Sequence, residues 1–153
     1  MKNIGLLLTT AVMIMSCNVN PGKTSIVSVS NDSTDQKDGV FIHISEGYSD
    51  PHKVLMPLKM ATMMAADKDV MIYMDIHAVE LLVKGAKDMN YADFESLQTY
   101  LKQLLDMKVG IYACPTCLKI AGFEPDDLME GIQVAAKEKF FDFTKGRIIT
   151  LDY

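Results

Sequence analysis

The sequence predicts an α/β domain built on a mostly parallel sheet, and three observations carry that prediction. Short apolar runs rich in β-branched and aromatic residues recur along the chain, as at 39–45, 70–76, 109–114 and 147–153. Longer segments with helical spacing of apolar residues separate them. Third, strands that alternate with helical patterns argue for right-handed βαβ units and a mostly parallel sheet.

Taken in order, "GVFIHIS" opens the domain as a buried strand. The helix at 50–69 follows, with Val54, Leu58, Ala61 and Ala65 on one stripe and Pro51 near its start. Pro57 either marks the true first turn or kinks it, since proline has no N–H to donate. "VMIYMDI" is the second strand, and "HAVELLVKGAKD" reads as a helix whose stripe is Val79, Leu82, Val83 and Ala86. A further helix spans 92–108, with Asp93 as N-cap and Phe94, Leu97, Leu101, Leu104 and Leu105 on one face. "VGIYAC" is the third strand. "EPDDLMEGIQVAAKEK" reads as a helix, with Pro125, Asp126 and Asp127 in its first turn. A short helix and turn at 137–146 lead to the closing strand "RIITLDY".

The amino terminus has a different character. Lys2 and the apolar run from Ile4 to Met15 form a secretory signal, too short to span a bilayer. "IMSC" resembles a bacterial lipobox, which makes Cys17 the acylated first residue of the mature chain. Residues 1–16 are therefore expected to be removed, 17–39 to be a Ser, Asn, Asp and Gly-rich tether, and 40–153 to be the single domain. The expected location is the bacterial cell envelope, periplasmic or surface, with membrane attachment through the N-terminal lipid. Loss of Lys2, the one charged residue of 1–16, moves the formal charge from −5 to −6. A mildly acidic chain without a basic run is a poor partner for nucleic acid.

With Cys17 assigned to lipid, Cys114 and Cys117 are the remaining thiols. They stand after the third strand in "IYACPTCLKIAGFEP". A thiol acts as a nucleophile in its thiolate form, and a Cys-X-X-Cys pair at a strand-to-helix bend suits attack followed by resolution as a disulfide. In a parallel sheet the strand ends share one rim, where ligands gather. That rim would also carry Ser45 and Glu46 after the first strand, and Asp75 and His77 after the second. Lys119 is near enough in sequence to add positive charge to the pair. His43 reads as a satisfied buried histidine, and Asp75 as a cap for the following helix.

Other chemistries are weighed against this. The pair comes too late in the chain, and its helix is too short, for a thioredoxin-type domain. His43, His52 and His77 lack the spacing of a structural zinc site. Copper(I) binding by the cysteines and the methionines at 56, 60, 63, 64, 71 and 74 stays open as an alternative, as does a small-ligand module without catalysis. A disulfide that merely pins a loop is a third possibility. No P-loop, GxGxxG or Ser-His-Asp order is present, and no cofactor is expected.

The block "YACPTCLKIAGFEPDDLMEGIQVA" resembles the signature of the DsrE/DsrF-like family, and the likeness extends over 40–153. Cys114, Cys117, Leu118, Lys119, Gly122, Asp127, Leu128 and Gly131 match its pattern, while Pro115 stands where glycine is common and Ile120-Ala121 where Ala-Arg is common. The resemblance implies a three-layer flavodoxin-like domain that forms homo-oligomers. It also implies a part in sulfur relay, with Cys114 bearing a persulfide and Cys117 as resolving or assisting thiol. The sulfur donor and acceptor, or the redox protein partner, are left unnamed by it.

Overall fold

The computed structural model describes residues 36–153. The signal, Cys17 and most of the expected tether lie outside the described residues.

Five strands form one parallel sheet: β1 (Gly39–Ile44), β2 (Asp69–Met74), β3 (Gly110–Ala113), β4 (Gln133–Val134) and β5 (Ile148–Asp152). Their spatial order is β4-β3-β2-β1-β5, and every neighbouring pair runs parallel. Among the described residues four α-helices accompany them: α1 (Pro51–Met64), α2 (Leu97–Asp106), α3 (Pro115–Ile120) and α4 (Lys139–Asp142). The chain steps one way across the sheet from β1 to β4, then returns to the opposite edge for β5. Right-handed crossovers place connections made in opposite directions on opposite faces. The packing agrees with this. Val40, Ile42 and Ile44 of β1 and Ile72 and Met74 of β2 are buried in one core with Val54, Leu55, Leu58 and Ala61 of α1 and Leu97, Leu101 and Leu104 of α2. Phe41 and Tyr73, on the other face, pack against Phe140 of α4, the first tilted to it and the second edge-on. Each fully buried aliphatic side chain of the core contributes about 1.5–3 kcal/mol. The α/β fold with its parallel sheet between helices is as the sequence predicts, and consistent with a flavodoxin-like fold.

Helix α1 begins at Pro51, capped by the Asp50 carboxylate accepting from the Lys53 N–H at 3.2 Å, and runs through a buried Pro57 without interruption. Pro57 is therefore not the first turn. Two predicted helices are absent, and for one reason. Segment 77–88 forms only a 3₁₀ turn at Ala78–Leu81, and segment 124–139 only a 3₁₀ turn at Pro125–Asp127 before β4. The two segments pair with each other instead. Val83 bridges Leu128 antiparallel, with the Lys84 N–H donating to the Asp127 carbonyl at 2.8 Å and the Met129 N–H to the Leu82 carbonyl at 2.9 Å. These four backbone groups are thereby committed across the bridge and cannot serve a helical ladder at their positions. Helix α2 also starts later than predicted. Ser96, not Asp93, is its cap, accepting from the Thr99 N–H at 3.3 Å, while Asp88 accepts from the Gln98 N–H at 2.9 Å.

The start of β1 is fastened to the start of β5. The Arg147 guanidinium contacts the Asp38 carboxylate at 2.6 Å, and the Thr144 hydroxyl donates to the Lys37 carbonyl at 2.8 Å.

Candidate functional site

Cys114 directly follows β3. Its N–H donates to the Met74 carbonyl at 2.9 Å, which carries the β2–β3 pairing one residue past the strand. It then turns the chain as the N-cap of α3, with extended φ and ψ of −63° and 119°. Pro115 occupies the first helical position, where its missing N–H costs nothing. The Cys114 sulfur accepts from the Cys117 N–H at 3.4 Å. Both cysteines are half-buried free thiols.

The two thiols are inequivalent. Burial alone pushes Cys114 up, but hydrogen bonds from the Tyr73 hydroxyl, the Cys117 thiol and the Cys117 and Thr116 N–H groups outweigh it and bring the thiol below its ordinary range. Burial pushes Cys117 up, and the neighbouring Cys114 reinforces this, against a single favourable N–H from Ile76. Of the two, Cys114 is shifted toward its thiolate form and Cys117 away from it. Tyr73 shows the reciprocal effect. Burial first, then its hydrogen bond to Cys114, raise its phenol well above the usual value, so it donates and keeps its proton.

Ile76 carries backbone strain. Its φ is 47°, a left-handed conformation that a β-branched residue rarely adopts. Such strain costs about 1–3 kcal/mol and collects at functional sites. Here the residue stands two positions after Met74, whose carbonyl accepts from the Cys114 N–H. The loop is tightly seated, since a Cβ on Gly47 would come within 2.9 Å of the His77 carbonyl oxygen.

Behind Tyr73 lies a second polar group. His43 of β1 is in register with Tyr73 of β2 and Asp152 of β5, and alternation brings all three to the same face. The His43 and Tyr73 rings stack with centroids 5.6 Å apart. His43 Nδ1 is 2.7 Å from Asp152 Oδ1, and Nε2 is 2.9 Å from Asp75 Oδ1.

The remaining expected site residues stand apart from the cysteines' hydrogen bonds. Glu46 accepts from the Ser49 hydroxyl at 3.3 Å and faces Lys53 at 3.6 Å. His77 is 68% exposed and its nearest charged neighbour is Glu80 at 3.8 Å. Lys119 is exposed in the last turn of α3. Ser45 ties β1 to the chain end, its N–H donating to the Tyr153 carbonyl at 3.2 Å. Tyr73 and Asp152 carry no motif, and only the strand register could have singled them out.

Among the described residues no three His, Cys, Asp or Glu side chains are grouped to hold a metal ion. Met71 and Met74 alternate along β2 onto opposite faces, so they do not converge on one soft ligand set. A cavity of about 630 Å³ lies at the other end of the sheet, lined by Lys37, Lys68, Met71, Lys108, Gly131 and Phe143 among others.

The DsrE/DsrF-like family matches residues 38–150. The chain belongs to this family. Among solved structures it is similar to the ychN protein from E. coli, with a TM-score of 0.59 at 17% identity, covering 76% of this chain and 99% of that one. It is also similar to MTH1491, a protein of unknown function from Methanobacterium thermoautotrophicum, with a TM-score of 0.54 at 21% identity, covering 75% and 100%. At such identities the likeness is one of fold. No curated protein matches the chain.

Proposed function

We propose that this DsrE/DsrF-like chain is a thiol-based carrier that accepts sulfur on Cys114, or exchanges disulfides there, with Cys117 resolving the product. One observation carries the reading: at the end of β3 Cys114 caps α3 and its sulfur accepts from the Cys117 N–H at 3.4 Å, which with the Tyr73 hydroxyl lowers its pKa, while burial raises that of Cys117. Membership of a family associated with sulfur relay supports the same chemistry.

Loading proceeds by attack of the Cys114 thiolate on the terminal sulfur of a donor persulfide. The new Cys114–S bond forms as the donor's S–S bond breaks, and its electron pair leaves with the donor thiolate. We further propose that the mature chain begins at an acylated Cys17 in the cell envelope and works as a homo-oligomer. The support is the "IMSC" stretch after an apolar signal, and the family resemblance.

Intact and peptide mass spectrometry of protein from cell envelopes, before and after incubation with a persulfide donor, tests the carrier and the anchor together. The expected result is one added sulfur on Cys114, removable by reductant, no loading in Cys114→Ala, and acyl mass on a chain lacking 1–16. Loading retained in Cys114→Ala, or a pair that stays unmodified, overturns the carrier. An unprocessed or unacylated chain overturns the anchor.

A further inference from the structure

The chemistry of the pair leaves one requirement unmet. When Cys117 closes onto Cys114 it must lose a proton, and every effect of burial and of the neighbouring thiol opposes that loss. An acceptor is needed behind the pair, with an exit to water.

The rim provides one. His43 Nε2 and Asp75 Oδ1 are both closed off from solvent and neither has a well-directed hydrogen bond, yet they approach to 2.9 Å. A buried carboxylate oxygen facing a buried ring nitrogen is costly unless a proton is shared or exchanged there. The other ring nitrogen, Nδ1, lies 2.7 Å from Asp152, whose side chain is 73% exposed. The row thus runs from a closed interior to solvent. Its inner end is next to the cysteines: Asp75 directly follows Met74, whose carbonyl accepts from the Cys114 N–H at 2.9 Å, and its charge is felt at both Cys117 and Tyr73. The position of Asp75 is fixed, because its N–H donates to the Ile44 carbonyl at 3.1 Å. The groups that face His43 are Tyr73 and Asp75 on the β2 side and Asp152 on β5.

We propose that Asp75, His43 and Asp152 form a proton relay that draws the proton from Cys117 during disulfide closure and passes it to water. The inference rests on the assignment of Cys114 and Cys117 as a nucleophile and its resolving thiol. In the step, Cys117 sulfur bonds to Cys114 sulfur, and the bond from Cys114 to the bound sulfur group breaks. The electron pair leaves with that group, as a thiolate from a mixed disulfide or as HS⁻ from a persulfide. The Cys117 proton goes to the Asp75–His43 pair and out past Asp152. Atoms and charge balance, and the bound sulfur group is the oxidant. His43 and Asp152 act through Asp75, so they are positioning and relay residues.

The test uses dithiodipyridine on the full chain carrying Cys17→Ser. It releases one thiopyridone as Cys114 attacks and a second as Cys117 closes the disulfide, so stopped-flow absorbance separates the two steps. His43→Gln is expected to slow the second release at least about tenfold, within the range of general-base effects, and to leave the first within about twofold. In that variant the second rate should become first order in hydroxide and recover with added imidazole, which a merely structural role would not produce. Asp152→Asn, at a largely exposed side chain, should slow the second step in the same direction. It also keeps the test decisive if His43→Gln does not fold. Second-step rates and pH profiles unchanged in both variants overturn the relay, as does a wild-type chain that releases only one equivalent. A chain that closes its disulfide through the relay but takes no sulfur from a persulfide donor overturns sulfur carriage alone.

Discussion

The hydroxyl of Tyr73 is the group that most offsets the burial of Cys114. It holds its own proton firmly and donates toward the Cys114 sulfur, so its effect falls on the thiolate form. Tyr73→Phe keeps the ring that stacks on His43 and meets Phe140 edge-on, and removes the donor alone. A hydrogen bond to a charged acceptor contributes about 1.5–3 kcal/mol when well shielded, and less at a half-buried sulfur. The sign follows directly: losing the donor raises the Cys114 pKa and lowers the thiolate fraction below the ordinary thiol pKa of about 8.5. Iodoacetamide alkylation of Cys114 near neutral pH is therefore expected to slow about three- to tenfold in Tyr73→Phe, with the two rates converging as pH rises above that value. Equal rates across the whole pH range would remove Tyr73 from the site.

At the scale of elements, the start of α2 separates what composition suggests from what the chain does. Asp93 has the chemistry of an N-cap and stands before an apolar stripe, but Ser96 makes the bond to the Thr99 N–H. Losing a capping hydroxyl costs about 0.5–2 kcal/mol, whereas an exposed side chain without such a bond changes stability by no more than about 0.5 kcal/mol. Urea denaturation should therefore find Ser96→Ala destabilised by about 1 kcal/mol and Asp93→Ala nearly unchanged; the reverse order would place the helix start where the sequence suggested it. The same contrast explains what was legible. Strands β1, β2, β3 and β5 announce themselves as β-branched runs, and α1 and the body of α2 as apolar stripes. β4 has two residues and leaves no pattern. The stripe Val79, Leu82 and Val83 is buried as predicted, but by a 3₁₀ turn and an irregular bridge to Leu128. Periodicity reports which side chains are buried, and the partner 45 residues away decides their backbone. The cysteine pair was legible because Cys-X-X-Cys is local. His43, Tyr73 and Asp152 become one row only through register across three strands, which no single segment contains.

For the molecule as a whole, the question is which end of the sheet works. The cysteines, Tyr73 and the His43 row lie toward the carboxyl ends of parallel strands, where ligands of such sheets collect. The cavity of about 630 Å³ lies instead around the start of β2 and β3, lined by Lys37, Lys68 and Lys108 together with Asp69. Six residues of β2 separate these ends, about 20 Å at the rise of a strand. That is roughly twice the Debye length at 0.1 M salt, so charge at one end is largely screened from the other. Coupling would then require a mechanical change in the sheet, whose middle strands are held on both sides by parallel partners. Lys68→Ala combined with Lys108→Ala is therefore expected to leave the alkylation rate of Cys114 within about twofold of the parent, under the same conditions in which Tyr73→Phe slows it. A change of more than about threefold in the lysine variant would mean that the far cavity is energetically connected to the thiols. The functional unit would then be the whole sheet, and substrate entry would have to be sought at the lysine-lined end as well as at the cysteine rim.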